Sequence, residues 1–122
     1  MKMTESVENY LETILMLNMQ KPNVRAIDIV DELGFKKSSV SVAMKNLREN
    51  VYILVSEDGF ITLTSKGREI GEMIYERHEA ISNWLTDLGV DKDIALADAC
   101  KIEHALSPES FTAIKKHIQN SK

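Results

Sequence analysis

Cysteine is almost absent from this chain of 122 residues: Cys100 stands alone, so no intramolecular disulfide can form. A single thiol fits a reducing compartment. Proline occurs only at positions 22 and 108 and glycine only five times, which leaves nothing for a flexible linker or a low-complexity segment. Long hydrophobic runs are missing as well. No stretch approaches the roughly 20 apolar residues of a membrane span. The opening MKMTESVENYLETILML carries Glu5, Glu8 and Glu12 through its apolar part, unlike a secretory signal. A cytoplasmic protein with no membrane role is expected. Signatures of catalysis are lacking too. There is no Gly-rich phosphate loop, no nucleophile elbow and no paired cysteine motif, and Arg77-His78-Glu79 has Ser82 where a zinc-hydrolase helix needs its second histidine. Neither an enzyme nor a small organic substrate is expected.

What is present describes a globular chain, 43% hydrophobic and 28% charged, able to bury a core without disulfide or metal. The net charge of −4 weighs mildly against nucleic acid as a partner, but charge distribution matters more than the total. Residues 36–48 hold Lys36, Lys37, Lys45 and Arg48 and no acid. A local basic patch on an acidic protein suits DNA of modest unswitched affinity.

Apolar spacing predicts a helix over 6–19 with Ser6 as its cap, and a second over 25–33 with Ile27, Val30 and Leu33 inward and Gly34 closing it. A third follows over 38–49, with Val40, Met44 and Leu47 inward. The β-rich runs 52–55 and 60–63 flank Glu57-Asp58-Gly59 and predict a hairpin. A long helix is expected from Ser65 to about Leu88, then two more over 92–106 and 108–119, with Pro108 at a first-turn position. Trp84 falls beside Leu85 and Leu88 as core or subunit seam, and His117 among polar neighbours as surface.

Helix–helix–helix–hairpin is the order of a winged helix-turn-helix, in which the third helix enters the major groove and the hairpin touches flanking backbone. The expected fold is therefore mostly α with a small β-hairpin wing. It comprises a winged helix-turn-helix over 1–64 and a helical domain over 65–122. A small α+β domain with no nucleic-acid role shares that order of elements. The acid-free, serine-led third helix favours DNA. Ser38, Ser39 and Ser41 would reach the groove with Val42 as an apolar contact, while Arg25, Lys36, Lys37, Lys45 and Arg48 would hold phosphates.

Cys100-x-x-Glu103-His104 places a thiolate, a carboxylate and an imidazole one helical turn apart, donors suited to a borderline divalent ion. The same residues equally describe a small core cysteine beside a solvated pair. Three donors do not complete a site; His78 and Glu12, with Asn9 one turn before Glu12, are the best further candidates.

Four stretches in order, Glu8-Asn9-Tyr10-Leu11-Glu12-Thr13-Ile14, Leu63-Thr64-Ser65-Lys66-Gly67, Arg77-His78 and Cys100-x-x-Glu103-His104-x-x-Ser107, resemble the DtxR/MntR family of metal-dependent repressors. The resemblance implies a DNA-binding winged helix followed by a helical dimerisation domain, without the SH3-like domain that some members append. It implies a homodimer on a double-stranded, palindromic operator, with a divalent metal, Fe²⁺ or Mn²⁺, as co-repressor; Co²⁺, Ni²⁺ or Zn²⁺ would substitute in vitro. By that resemblance Glu12, His78, Cys100, Glu103 and His104 are metal ligands. Position 9 is Met in the iron branch and Asp in the manganese branch; Asn9 departs from both and offers only an amide oxygen. Glu12 matches the manganese branch and Cys100 the iron branch, so the set is a hybrid. Ser82 and Leu96 occupy positions where the iron branch builds an ancillary site. One ion bonded to both lobes would set their relative angle, provided that metal binds the DNA-competent state better. Two alternatives remain: a metal-independent winged-helix regulator, and a metal-buffering or interaction dimer that does not bind DNA.

Overall fold

The computed structural model describes residues 2–121. Among these described residues, six helices and one hairpin follow in chain order: α1 (Glu5–Gln20), α2 (Ala26–Leu33), α3 (Lys37–Glu49), β1 (Ile53–Val55), β2 (Ile61–Leu63), α4 (Ser65–Asp87), α5 (Lys92–Ile102) and α6 (Pro108–Asn120). The chain divides into two compact units, residues 1–72 and 73–122, with the division inside α4.

The first unit is the winged helix-turn-helix. Its α1 is capped by Thr4, whose hydroxyl accepts from the Val7 N–H at 3.2 Å; the cap expected at Ser6 lies inside the helix. Asp28, in the first turn of α2, accepts the Arg25 N–H at 2.8 Å, and α2 stops at Gly34, whose left-handed φ of 69° a side chain would resist. Ile29 is the fully buried residue of α2. Ile27, expected inward, is 44% exposed, because eight residues are too short a helix for its stripe to be read reliably. The core joins Tyr10, Leu11, Ile14 and Leu17 of α1 to Ile29, Val40, Met44 and Leu47, and to Tyr52, Ile53 and Ile61 at the hairpin. Each such fully buried aliphatic side chain contributes about 1.5–3 kcal/mol.

The hairpin is antiparallel, with Ile53 opposite Leu63 and Val55 opposite Ile61, and Gly59 turns it at φ 83°. Three backbone hydrogen bonds anchor it: one to the α1–α2 connection, one to α3 and one across its own flanks. Ile61 N–H donates to the Val24 carbonyl at 2.7 Å, Tyr52 N–H to that of Leu47 at 2.9 Å, and Thr64 N–H to that of Tyr52 at 3.1 Å. Thr64 Oγ1 donates to the Val51 carbonyl at 2.7 Å and accepts from the Gly67 N–H at 3.2 Å, so one hydroxyl both closes the wing and starts α4. Lys66 places its ammonium over the Tyr52 ring, 4.2 Å from the centroid, and donates to the Asn50 carbonyl. Gly67 presses so closely on the Tyr52 carbonyl that a Cβ there would overlap it. The Thr-Ser-Lys-Gly motif is thus the buckle between wing and long helix.

The second unit holds the remainder of α4 with α5 and α6, and buries Ile74, Ile81, Ala95, Ala99 and Phe111. Asp91 caps α5 and Ser107 caps α6, with Pro108 in its first turn. Four residues earlier than expected, α5 ends at Ile102; Glu103, His104 and Ala105 form a turn. Leu88, expected on the apolar stripe, lies past the end of α4 and is 65% exposed. No helix among the described residues is long and apolar enough to cross a membrane.

Candidate metal centre and DNA interface

All nine candidate DNA contacts lie in the first unit and face solvent. Lys36 and Lys37 open α3, Ser38, Ser39, Ser41, Val42, Lys45 and Arg48 project from it, and Arg25 stands at the start of α2. The helix begins one residue earlier than spacing suggested, at Lys37, and no side chain caps it. Its N–H groups and first-turn serines are therefore left facing outward, an arrangement suited to anionic oxygens. Arg25 stacks on Phe60 of the wing, 4.7 Å from the ring centroid, which holds a cation at the edge of the same surface. A groove between α3 and the wing is lined by Ser41, Lys45, Arg48, Val55 and Gly59.

In the second unit the cluster centres on Glu103, which is fully buried. Its Oε2 lies 2.8 Å from His78 Nδ1 on α4, and His104 Nε2 lies 3.4 Å from its Oε1. Cys100 Sγ stands 3.9 Å from the same His78 nitrogen. His78, Cys100 and Glu103 bring one ligand atom each within 4.8 Å of one another. The thiol, carboxylate and imidazole expected on one helical face are thus distributed differently. Cys100 gathers with Glu103 and His78 at one carboxylate oxygen, while His104, carried by the turn beyond α5, faces the other. Oε1 of Glu103 is buried and accepts no hydrogen bond among the described residues, an arrangement that costs free energy in the absence of a cation. Two imidazoles, a carboxylate and a thiol are a donor set that fits a borderline divalent ion.

Glu12 and Asn9 belong to α1 in the first unit; Glu12 is buried and Asn9 half-buried. Ser82 is buried and donates to the Glu79 carbonyl of its own helix at 3.3 Å, while Leu96 is exposed, so neither offers a second charged donor. Sequence reasoning missed the part played by Arg77. Its signal was available: with Ile70, Ile74 and Ile81 it occupies the inward stripe of α4, where a cation has no ordinary place.

An exposed basic helix on a winged helix, followed in the chain by a helical unit in which His78 and exposed Cys100 gather at buried Glu103, defines a metal-responsive transcription regulator. Comparison with known proteins agrees. Residues 2–59 match the iron dependent repressor, N-terminal DNA binding domain, and residues 64–122 the iron dependent repressor, metal binding and dimerisation domain. The chain belongs to the iron-dependent repressor family, the metal-dependent transcriptional repressors of the DtxR/MntR type. The HTH-type transcriptional regulators MntR of Bacillus velezensis and Bacillus subtilis are each 35% identical over 116 residues, covering 95% of this chain and 82% of theirs. Among solved structures, a manganese-dependent transcriptional repressor in complex with manganese superposes with a TM-score of 0.83 at 23% identity, covering 93% of this chain. The metal-dependent transcriptional regulator MtsR gives 0.85 at 22% identity over 96%. This chain spans about half the length of those two structures, 52% and 55%, and their likeness is one of fold.

Proposed function

We propose that the chain works as a homodimeric repressor that binds a palindromic operator in the cytoplasm when a divalent metal occupies the Glu103 cluster. The buried, incompletely hydrogen-bonded carboxylate of Glu103, set between His78 and His104 with Cys100 beside His78, carries this reading. We assign DNA binding to residues 1–64, through Arg25, Lys36, Lys37, Ser38, Ser39, Ser41, Val42, Lys45 and Arg48. Metal binding and dimerisation fall to 65–122, through His78, Cys100, Glu103 and His104. Glu12 and Asn9 are assigned as further donors from the first unit on the family resemblance. When bound, the ion supplies positive charge and fixed geometry at these donors. The thiol favours Fe²⁺, Co²⁺, Ni²⁺ or Zn²⁺, and a hard carboxylate donor such as Glu12 keeps Mn²⁺ in contention; iron and manganese are the physiological choices. Exposed Leu88, Ile94, Leu96 and Ile102 supply apolar surface suited to a second copy.

The test is retention on operator-containing genomic fragments at graded salt, with chelator and with each metal, using untagged protein whose metal content has been measured. Metal-stimulated, salt-sensitive retention is expected. Equal retention with chelator would favour the metal-independent regulator, for which Asn9 argues. Bound metal without retention would favour the buffering dimer.

A further inference from the structure

A buried guanidinium is costly unless its surroundings meet it with hydrogen bonds, so the partners of Arg77 indicate its purpose. Arg77 is 4% exposed. Its Nη1 donates to the Glu103 carbonyl at 3.1 Å and to the Leu106 carbonyl at 2.6 Å, and the guanidinium lies 5.4 Å from the centroid of the Phe111 ring. Both carbonyls belong to the short connection between α5 and α6, where the regular helical ladder has ended. Glu103 and His104 are carried by that connection. Meanwhile His78, the next residue of α4, meets the other end of Glu103 at its carboxylate. Consecutive residues of one helix thus grip one glutamate, Arg77 by its backbone and His78 by its side chain.

We propose that Arg77 is a positioning residue for the metal centre, clamping the turn that bears Glu103 and His104 so that both donors are in place before the ion arrives. The inference rests on the metal-binding reading above. Geometry and charge oppose each other here, which makes the idea testable. As a clamp, the guanidinium strengthens metal binding by pre-ordering the ligands. As a bare cation near the site, it weakens binding by repulsion. Losing a group that orients a metal ligand typically lowers affinity by about 10–100-fold.

The experiment titrates the full chain with Co²⁺, reading the ligand-field and thiolate absorption bands, for wild type, Arg77→Lys, Arg77→Gln and Phe111→Leu. Circular dichroism and mass by light scattering are measured alongside. Arg77→Gln is expected to bind Co²⁺ about 10–100-fold more weakly, with faster amide exchange at residues 104–106 in the metal-free protein. Arg77→Lys, which keeps the charge but not the two-carbonyl fork, is expected to fall between Gln and wild type and to alter the band shape. Wild-type affinity in Arg77→Gln, or tighter binding, overturns the proposal. Should Arg77→Gln fail to fold, Phe111→Leu decides: it removes the ring beside the guanidinium and is expected to weaken Co²⁺ binding severalfold, whereas unchanged affinity overturns the clamp. Absence of Co²⁺ bands in the wild type sinks the metal reading itself, and the clamp with it.

Discussion

His78 Nδ1 meets Glu103 Oε2 at 2.8 Å, joining α4 to the turn beyond α5 across 25 residues of chain. The contact sits in a buried setting where a carboxylate is poorly tolerated without positive charge. Its chemistry therefore depends on what occupies the space around Glu103.

Glu103→Gln preserves shape and removes the anionic oxygen. Metal affinity is expected to fall about 100-fold or more, beyond the usual effect of losing an orienting group, and metal-stimulated DNA retention to vanish. His104→Ala and Glu12→Gln should also lose metal stimulation. Cys100→Ser should be milder and shift preference away from softer ions. Calorimetric metal titrations of Glu103→Gln and His104→Ala that match wild type would dismiss the site.

DNA retention should weaken steeply with salt, because Lys36, Lys37, Lys45 and Arg48, the phosphate contacts we propose, would displace counterions. Each of Lys37→Ala and Lys45→Ala should lower the log–log slope by about one. Slopes and affinities equal to wild type would remove α3 from the groove.

Gly67→Ala tests the buckle between wing and α4. In an open helix this change stabilises by up to about 1 kcal/mol. Here the added methyl would collide with the Tyr52 carbonyl, backbone that cannot swing aside. A loss of about 2 kcal/mol or more in urea unfolding is expected. Neutral or improved stability would mean that the wing is free to shift.

Val51 holds φ at 63°, the left-handed region, in the turn that ends α3, and it is exposed. A β-branched residue pays for that conformation with roughly 1–2 kcal/mol of strain. Val51→Asn should raise stability by about 1 kcal/mol, visible as a higher urea midpoint with an unchanged slope. A lower midpoint would show that the valine makes contacts worth more than its strain.

Asp28 sits below the usual carboxylate range, held there first by the hydrogen bond from the Lys21 ammonium and then by the Arg25 backbone N–H. A depressed folded value means that its stabilisation is present above the unfolded value, near pH 4, and drains away as pH falls through the folded one. The stability gap between wild type and Asp28→Asn should be about 1 kcal/mol at pH 7 and shrink in acid. A gap independent of pH from 7 to 2.5 would exclude this role.

The winged helix was legible because its signals are local. Helical periodicity in α1 and α3, Gly34 at the end of α2 and Gly59 in the hairpin each act within a few residues. The capping choice of Thr4 over Ser6 and the exposure of Ile27 were not legible, since they depend on where the chain enters and on which neighbours arrive.

By itself the sequence determined the order of elements, the basic acid-free face of α3 and the donor types at 78, 100, 103 and 104. Side-chain chemistry and 3.6-residue spacing are properties of short segments, and they survive any packing. Only the tertiary structure decided that α5 stops at Ile102, and that Glu103 is buried with an imidazole at each oxygen. It also decided that Arg77 holds the carbonyls of Glu103 and Leu106. Those outcomes depend on which helices meet, because a buried charge settles wherever distant chain supplies its partners.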